Sequence, residues 1–511
     1  MDLVGLDIGT TGVKGLRVNQ RGKVVASASS SYPLSAPRPL WAEQDPEDWW
    51  RATVEVLRQL GAGEVAGLAL SGQMHGLVPL DARLRVVRPA ILWCDQRTAR
   101  ECQEITNTIG EERLLQLAAN PALAGFTAPK VVWMRNNEPE LYRKIRHVLL
   151  PKDYVRYRLT GELAIDASDA AGTLLFNVQL RKWSEEILEA LDIDQSWLPP
   201  VLESPQIAGK ITTAVAQATG LPEGMTVAAG GADNPCAAVG IGVVRRGLVS
   251  SSIGTSGTLL AHTDQPLIDP QGRVHTFCHS VPGCWYCMGV MLSAGNSLRW
   301  YRDTFAGAER EVAVNTGRDV YDLLAQEAEQ APPGCEGLVF LPYLMGERTP
   351  HKDSYARGVW FGLTGRHSRP HLVRSVLEGV ALGLRDSLEI LHGMGLEVRE
   401  IRVIGGGARS RLWCQIQSDV FNQELAVPQV DEGPAFGAAL LAGVAVGQYA
   451  TVEEACSAAV RIKERVQPNS KRVKLYNQVY DLYRSLYPRL ADRFKVAAQF
   501  PLADAPPVRH R

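Results

Sequence analysis

One short device occurs twice in this sequence. An apolar run ends in a tight turn of small residues, and a second apolar run follows at once. Residues 3–8 end at Gly9-Thr10-Thr11-Gly12 and resume at 13–18; residues 248–253 end at Gly254-Thr255-Ser256-Gly257 and resume at 258–262. Glycine at such breaks suits tight hairpins. The copies lie about half a chain apart, which points to two similar halves with a boundary near residues 245–247. On the tetrapeptides alone, two unrelated hairpins fit equally well. After the first copy, the turn Asn19-Gln20-Arg21-Gly22 leads to a third strand at 24–28, a β-meander.

A chain of 511 residues allows two to four domains at roughly 150 residues each. The 45% hydrophobic and 21% charged residues exclude a disordered or fibrous chain. A net charge of -1 argues against a general nucleic-acid binder but not against a local phosphate site. No apolar stretch approaches the ~20 residues of a membrane helix. The start, Met1-Asp2-Leu3-Val4-Gly5, lacks the basic region of a signal peptide. Nine scattered cysteines suit a reducing compartment, so a cytoplasmic protein without membrane or nucleic-acid partners is expected.

Along the chain, Asp45 reads as an N-cap with Pro46 at the first helical position, opening a helix that holds Trp49, Trp50, Val54 and Leu57. Strands are expected at 65–70 and 227–230, helices at about 103–160, 294–330 and 410–421, and a strand at 425–428. Residues 434–446 form a helix rich in Ala and Gly, small enough for close approach. From about residue 497 periodicity stops, and a mobile tail is expected.

The chain has no Walker A string, which excludes a P-loop NTPase, and no Gly-x-Gly-x-x-Gly between strand and helix, which argues against a Rossmann site. The remaining phosphate-binding candidates are the two hairpin turns, whose backbone N–H groups can converge on phosphate oxygens. Asp7, two residues before the first turn, either holds Mg²⁺ beside phosphates or bonds the turn amides. Asp233 follows an apolar strand and two glycines; it is either a helix N-cap or the acceptor of a hydroxyl proton during phosphoryl transfer. His75, before Gly76, is either structural or a partner for substrate hydroxyls. Gly405-Gly406-Gly407 marks either a tight turn or a close approach to a nucleotide base or ribose. Cys278, His279, Cys284 and Cys287 offer zinc-ligand types, but Val281-Pro282-Gly283 reads as a hairpin turn, and residues three apart on a strand face opposite sides.

Together these strings resemble the FGGY family of carbohydrate kinases, in particular its xylulokinase branch. The matching strings begin with Gly5-Leu-Asp-Ile-Gly-Thr-Thr-Gly-Val-Lys14, Pro39-Leu-Trp-Ala-Glu-Gln-Asp-Pro46 and Gly72-Gln-Met-His-Gly76. They continue with Leu149-Leu-Pro-Lys-Asp-Tyr154, Ser168-Asp-Ala-Ala-Gly-Thr173 and Gly230-Gly-Ala-Asp-Asn234. Ser252-Ile-Gly-Thr-Ser-Gly257, the run Leu341 to His351 and Ile404-Gly-Gly-Gly-Ala-Arg-Ser410 complete the set in family order. The resemblance implies an α/β fold of two ribonuclease H-like, actin-like ATPase domains with a cleft between them. The domains expected are 1–246 for sugar and catalytic base, 247–490 for nucleotide, and a tail at 491–511. It implies transfer of the ATP γ-phosphoryl group to the 5-hydroxyl of D-xylulose, with Mg²⁺. By resemblance Asp233 is the base and Asp7 the acid near Mg²⁺. Met74, His75 and Asn234 contact sugar, Thr10, Thr11, Gly254 and Thr255 line the phosphates, and Gly405, Gly406, Gly407 and Ser410 lie along adenosine. Family members are often homodimers. Ala232 and Pro235 depart from the family pattern beside the base. Two alternatives stand: a kinase of the same family for another ketose or polyol, such as ribulose, gluconate or glycerol, and a non-catalytic actin-like nucleotide-binding protein.

Overall fold

The first hairpin forms as its sequence predicts in a computed structural model that describes residues 1–61, 63–430 and 433–500. Strands β1 (Asp2–Ile8) and β2 (Gly12–Val18) pair antiparallel with Asp7 opposite Lys14, and β3 (Val24–Ser31) pairs antiparallel with β2. Strand β4 (Val65–Gly72) lies parallel to β1. Strands β5 (Ile207–Lys210) and β6 (Thr226–Ala228) extend the sheet, and β7 (Gly231–Ala232) also pairs with β4. The strand expected at 227–230 thus ends at Ala228, and β7 follows after a break at residues 229–230. The break falls at Gly230, where φ is +76° and a Cβ would lie 2.0 Å from the Leu70 carbonyl oxygen. Only glycine lets the chain pass β4 so closely.

The second sheet holds β8 (Leu248–Ile253), β9 (Gly257–Thr263), β10 (His275–Cys278), β11 (Trp285–Met291), β12 (Glu400–Ile404), β13 (Leu425–Pro428) and β14 (Ile462–Val466). Its order is β10-β11-β9-β8-β12-β13-β14. Traced from the meander side, the first sheet runs β3-β2-β1-β4-β6-β5, and the second runs β11-β9-β8-β12-β13-β14 with β10 outside β11. The repeated turn therefore marks a repeated strand order, and the two-domain α/β expectation holds.

Two compact units result. The first comprises Met1–Leu248, Leu260–Cys287 and Pro428–Ile462, and the second comprises Val249–Leu259, Met288–Val427 and the chain from Lys463 onward. Inside unit 1, helix Pro46–Leu60 is capped by Asp45, which accepts from Glu47 N, and it buries Trp49, Thr53, Val56 and Leu57. Trp50 and Val54 flank that face and are half-buried rather than central to it. Helix Gly433–Ala445 is the small-residue helix of the sequence. A Cβ on Gly5 would lie 1.9 Å from Ala435 O, and one on Gly240 would lie 2.1 Å from Gly433 O. Backbone thus meets backbone against β1 and against helix Asp233–Gly240. In unit 2, helices Arg369–Gly393 and Arg411–Phe421 flank the cavity described below. Helix Ser470–Ala497 runs through the first part of the stretch read as a tail from 491, because Val473, Tyr476, Val479, Tyr480, Tyr483, Leu486 and Phe494 form a buried stripe. The rest of that tail, 501–511, lies outside the described residues. No helix among the described residues is long and apolar enough to cross a membrane.

Candidate functional site

In unit 1 the ends of β1, β4 and β7 bring four candidate segments together. Asp7 stands on β1 beside Ser71 of β4. The turn after it is braced by neighbours. Tyr32 donates to Gly9 O at 2.5 Å, Gln44 Nε2 donates to Thr10 O at 2.7 Å, and Trp93 Nε1 donates to Thr10 Oγ1 at 3.0 Å. Thr11 is exposed. Gln73 Nε2 in turn donates to Gln44 Oε1 at 3.1 Å. Gln44 and Gln73 both sit inside family-matching strings, yet nothing local to them marks their role in holding the turn.

Asp233 is the first residue of helix Asp233–Gly240, with Ala232 as the N-cap residue, so it is not the cap itself. Its Oδ1 accepts from Asn234 N at 2.7 Å and Asn234 Nδ2 at 2.8 Å. Burial, and then the negative charge of Asp7, pushes its carboxyl up to about 7, against the pull of the Asn234 bonds. Burial and the same Asp7 charge raise the Tyr32 phenol. Pro235 sits in the helix's first turn, where a missing N–H does no harm. Asn234 Nδ2 also faces Met74 Sδ at 4.0 Å, and Tyr286 OH donates toward the same sulfur at 3.9 Å. His75 adopts φ +68°. Its carbonyl accepts from Thr127 Oγ1 at 3.0 Å and Lys130 Nζ at 2.8 Å. Its Nδ1 donates to Gly172 O at 2.6 Å, since a carbonyl oxygen can only accept. Asp7, Met74, His75, Asp233 and Asn234 therefore share one neighbourhood.

In unit 2 a cavity of about 320 Å³ is lined by Gly254, Thr255, Gly406, Gly407 and Ser410, together with Arg299, Tyr321 and Trp413. Gly405 is not among the lining residues. Its φ is +78° and a Cβ would lie 2.7 Å from Ile253 O, so its lack of a side chain serves the turn against β8. Ser410 caps helix Arg411–Phe421, its Oγ accepting from Trp413 N at 3.3 Å. Arg299 Nη2 donates to Thr255 Oγ1 at 2.8 Å. No local pattern marks Arg299 or Tyr321 in the sequence; they reach the cavity only through folding.

The cysteine group is dispersed. Cys278 Sγ bonds to Val178 O, Cys287 Sγ to Leu267 O, and His279 Nε2 lies 3.2 Å from Val243 O. Metal-ligand side chains gather elsewhere. His262, Asp264 and Cys284 approach one another within 4.8 Å, beside an Arg181 guanidinium that donates to Cys284 O at 2.8 Å. Asp153, Asp166 and Asp169 also converge, and there the Lys152 ammonium occupies the centre.

The FGGY family of carbohydrate kinases matches this chain twice, its N-terminal domain over residues 3–240 and its C-terminal domain over 249–446. A curated xylulose kinase of Bacillus subtilis is 41% identical over 496 residues, covering 96% of this chain and 97% of that protein. The crystal structure of a "xyloylose kinase" from Brucella ovis superimposes with a TM-score of 0.88 at 36% identity, covering 96% of this chain and 100% of that one. A gluconokinase of Bacillus subtilis is 30% identical over 98% of both chains.

Proposed function

The chain belongs to the FGGY family of carbohydrate kinases, and from that premise we propose that it transfers the γ-phosphoryl group of ATP to the 5-hydroxyl of D-xylulose. The observation that carries this reading is Asp233. A carboxyl held near 7, bonded to Asn234 and set beside Met74 and His75, is a proton acceptor among sugar-contacting groups. A base poised near neutral pH combines the correct ionisation state with useful proton affinity. Identity to the xylulose kinase exceeds identity to the gluconokinase by 41% to 30%, which favours the ketose within the family.

In this mechanism Asp233 orients O5 and accepts its proton as the hydroxyl attacks phosphorus. Met74 and His75 hold the sugar. The first turn, with Thr10 and Thr11, and the cavity turn, with Gly254 and Thr255, bind phosphate oxygens. Gly406, Gly407 and Ser410 line the nucleoside. Catalysis is then positioning plus electrostatics. Asp7 is the residue that would hold Mg²⁺, directly or through water. Its oxygen donor suits a hard cation, and its negative charge, felt by Asp233 and Tyr32, gives such a cation a reason to bind. The bound ion supplies neutralisation of phosphate charge. A division of the sequence at 246/247, with residues 260–287 and 428–462 packing in unit 1, a homodimer and a cytoplasmic setting belong to the same proposal.

The test is ADP release from Mg·ATP with D-xylulose, L-xylulose, D-ribulose, L-ribulose, xylitol, gluconate, glycerol and no sugar. The expected result is a kcat/KM for D-xylulose well above the rest. A different winner overturns the substrate, and turnover independent of sugar overturns the kinase reading.

A further inference from the structure

Beneath the sugar site of unit 1 lies a fully buried ion cluster that the mechanism above does not use. Lys152 Nζ reaches Asp153 Oδ1 at 2.6 Å, Asp166 Oδ1 at 3.0 Å and Asp169 Oδ2 at 3.2 Å, and every one of these side chains is 0% exposed. Arg156 Nη1 adds a bond to the same Asp153 oxygen at 3.0 Å. Burial alone would strip the ammonium of its proton, but the three carboxylates outweigh it and raise Lys152. Burial drives Asp169 well above the carboxylate range against the pull of Lys152. Such a cluster costs desolvation energy, and it fixes the geometry of the segments that carry it.

That geometry has two outlets. Asp166 caps the short helix Ala167–Ala171, accepting from Ser168 N at 2.8 Å and from the Ser168 hydroxyl. The Ser168 oxygen then accepts from Ala232 N at 2.9 Å, the N–H of the Gly231–Ala232 peptide one residue before Asp233. Arg156 Nη1 also holds Ala229 O at 2.9 Å, three residues before Ala232. At the other end of the helix, Gly172 O receives His75 Nδ1. A Cβ on Gly172 would lie 2.8 Å from His75 Nδ1 and 3.0 Å from Met74 Cε. One helix thus touches the backbone of Ala232, the residue before Asp233, and the ring of His75.

We propose that helix Ala167–Ala171, clamped by the Lys152–Asp166 pair, is the positioning element of the sugar site: Ser168 sets the backbone entering Asp233, and Gly172 sets the ring of His75. The proposal rests on the reading of Asp233 as base. In this proposal both act through a residue assigned to substrate, Ser168 through Asp233 and Gly172 through His75.

The test is a double-mutant cycle of Ser168→Ala and Asp233→Asn, with Gly172→Ala alongside, measured on the best sugar of the panel. Removing an outer partner that orients a metal ligand typically costs about 10–100-fold, and a comparable loss is expected here. Ser168→Ala should lower kcat by about tenfold or more in the wild-type background, with KM for ATP unchanged, and by less than about twofold in the Asp233→Asn background. Gly172→Ala should instead raise KM for the sugar by about tenfold while leaving KM for ATP alone. Equal losses in both backgrounds, or a wild-type loss under about twofold at unchanged Tm, overturn the proposal. If Ser168→Ala fails to fold, Ser168→Thr keeps the hydroxyl and should keep kcat; a loss of kcat there at unchanged Tm also overturns it. Near-normal turnover of Asp233→Asn alone sinks the base assignment, a result the single variant reports independently of the cycle.

Discussion

The two candidate sites of this protein are built by opposite means. The candidate sugar site of unit 1 gathers side chains with particular chemistry, Asp7, Met74, His75, Asp233 and Asn234, with Asn234 bonded to Asp233 and facing Met74. The cavity of unit 2 is chiefly backbone and shape, with glycines at 254, 406 and 407 on its wall and Gly405 pressed against Ile253. In the first, one wrong functional group should stop chemistry and leave binding intact. In the second, one added methyl should disturb binding and leave the chemistry of bound substrate intact.

The sharpest challenge to that contrast is Asp233→Asn. It should lower kcat by about 10²–10⁴-fold with the Kd for ATP unchanged, read by steady-state kinetics and calorimetry. A matching loss of ATP affinity would erase the distinction between the sites. Next is Gly405→Ala, which forces a Cβ to 2.7 Å from Ile253 O at a φ of +78°. KM for ATP should rise about tenfold and stability should fall by about 1–3 kcal/mol, while the sugar Kd stays put. The pH dependence comes third. Asp233 must be ionised to act, and its carboxyl lies at about 7, so kcat should rise with pH through that value, about tenfold per unit below it. That limb should vanish in Asp233→Asn. The smallest effect concerns stability. The folded-state pKa of about 7 exceeds the ordinary 3.8, so the folded protein binds the extra proton and loses stability as pH rises between those values. Asp233→Asn should therefore raise Tm at pH 8 by a few degrees and leave it nearly unchanged at pH 4, in a melting experiment.

The same contrast explains what was legible in the sequence. The turns at Gly9 and Gly254, the cap at Asp45-Pro46 and the Ala/Gly helix after residue 432 are local signals, and each appears in the fold. Asp7, His75 and Asp233 stood out because polar groups at the ends of apolar strands are unusual. Arg299 and Tyr321 did not stand out, since an exposed-looking Arg or Tyr in a helical stretch carries no mark of the cavity it will line. Lys152 was visible only as a member of a matching string and Asp166 not at all; their pairing depends on a contact between a helix and a strand end. The helix after Asp45 holds Trp49, Trp50, Val54 and Leu57 as read, but spacing alone does not show that Trp49 and Leu57 lie at the centre of its buried face while Trp50 and Val54 lie at the edge.

The helix Gly433–Ala445 has a consequence for synthesis. It completes the core of unit 1 by covering Leu3, Ala69, Ala228 and Val239. During translation the first segment of that unit ends at Leu248, and the covering helix begins at Gly433, so 184 residues must be made in between. At roughly 5–20 residues per second, the nascent sheet stands with one apolar face bare for about ten to forty seconds. For that interval the growing chain is a client for whatever shields hydrophobic surface at the ribosome.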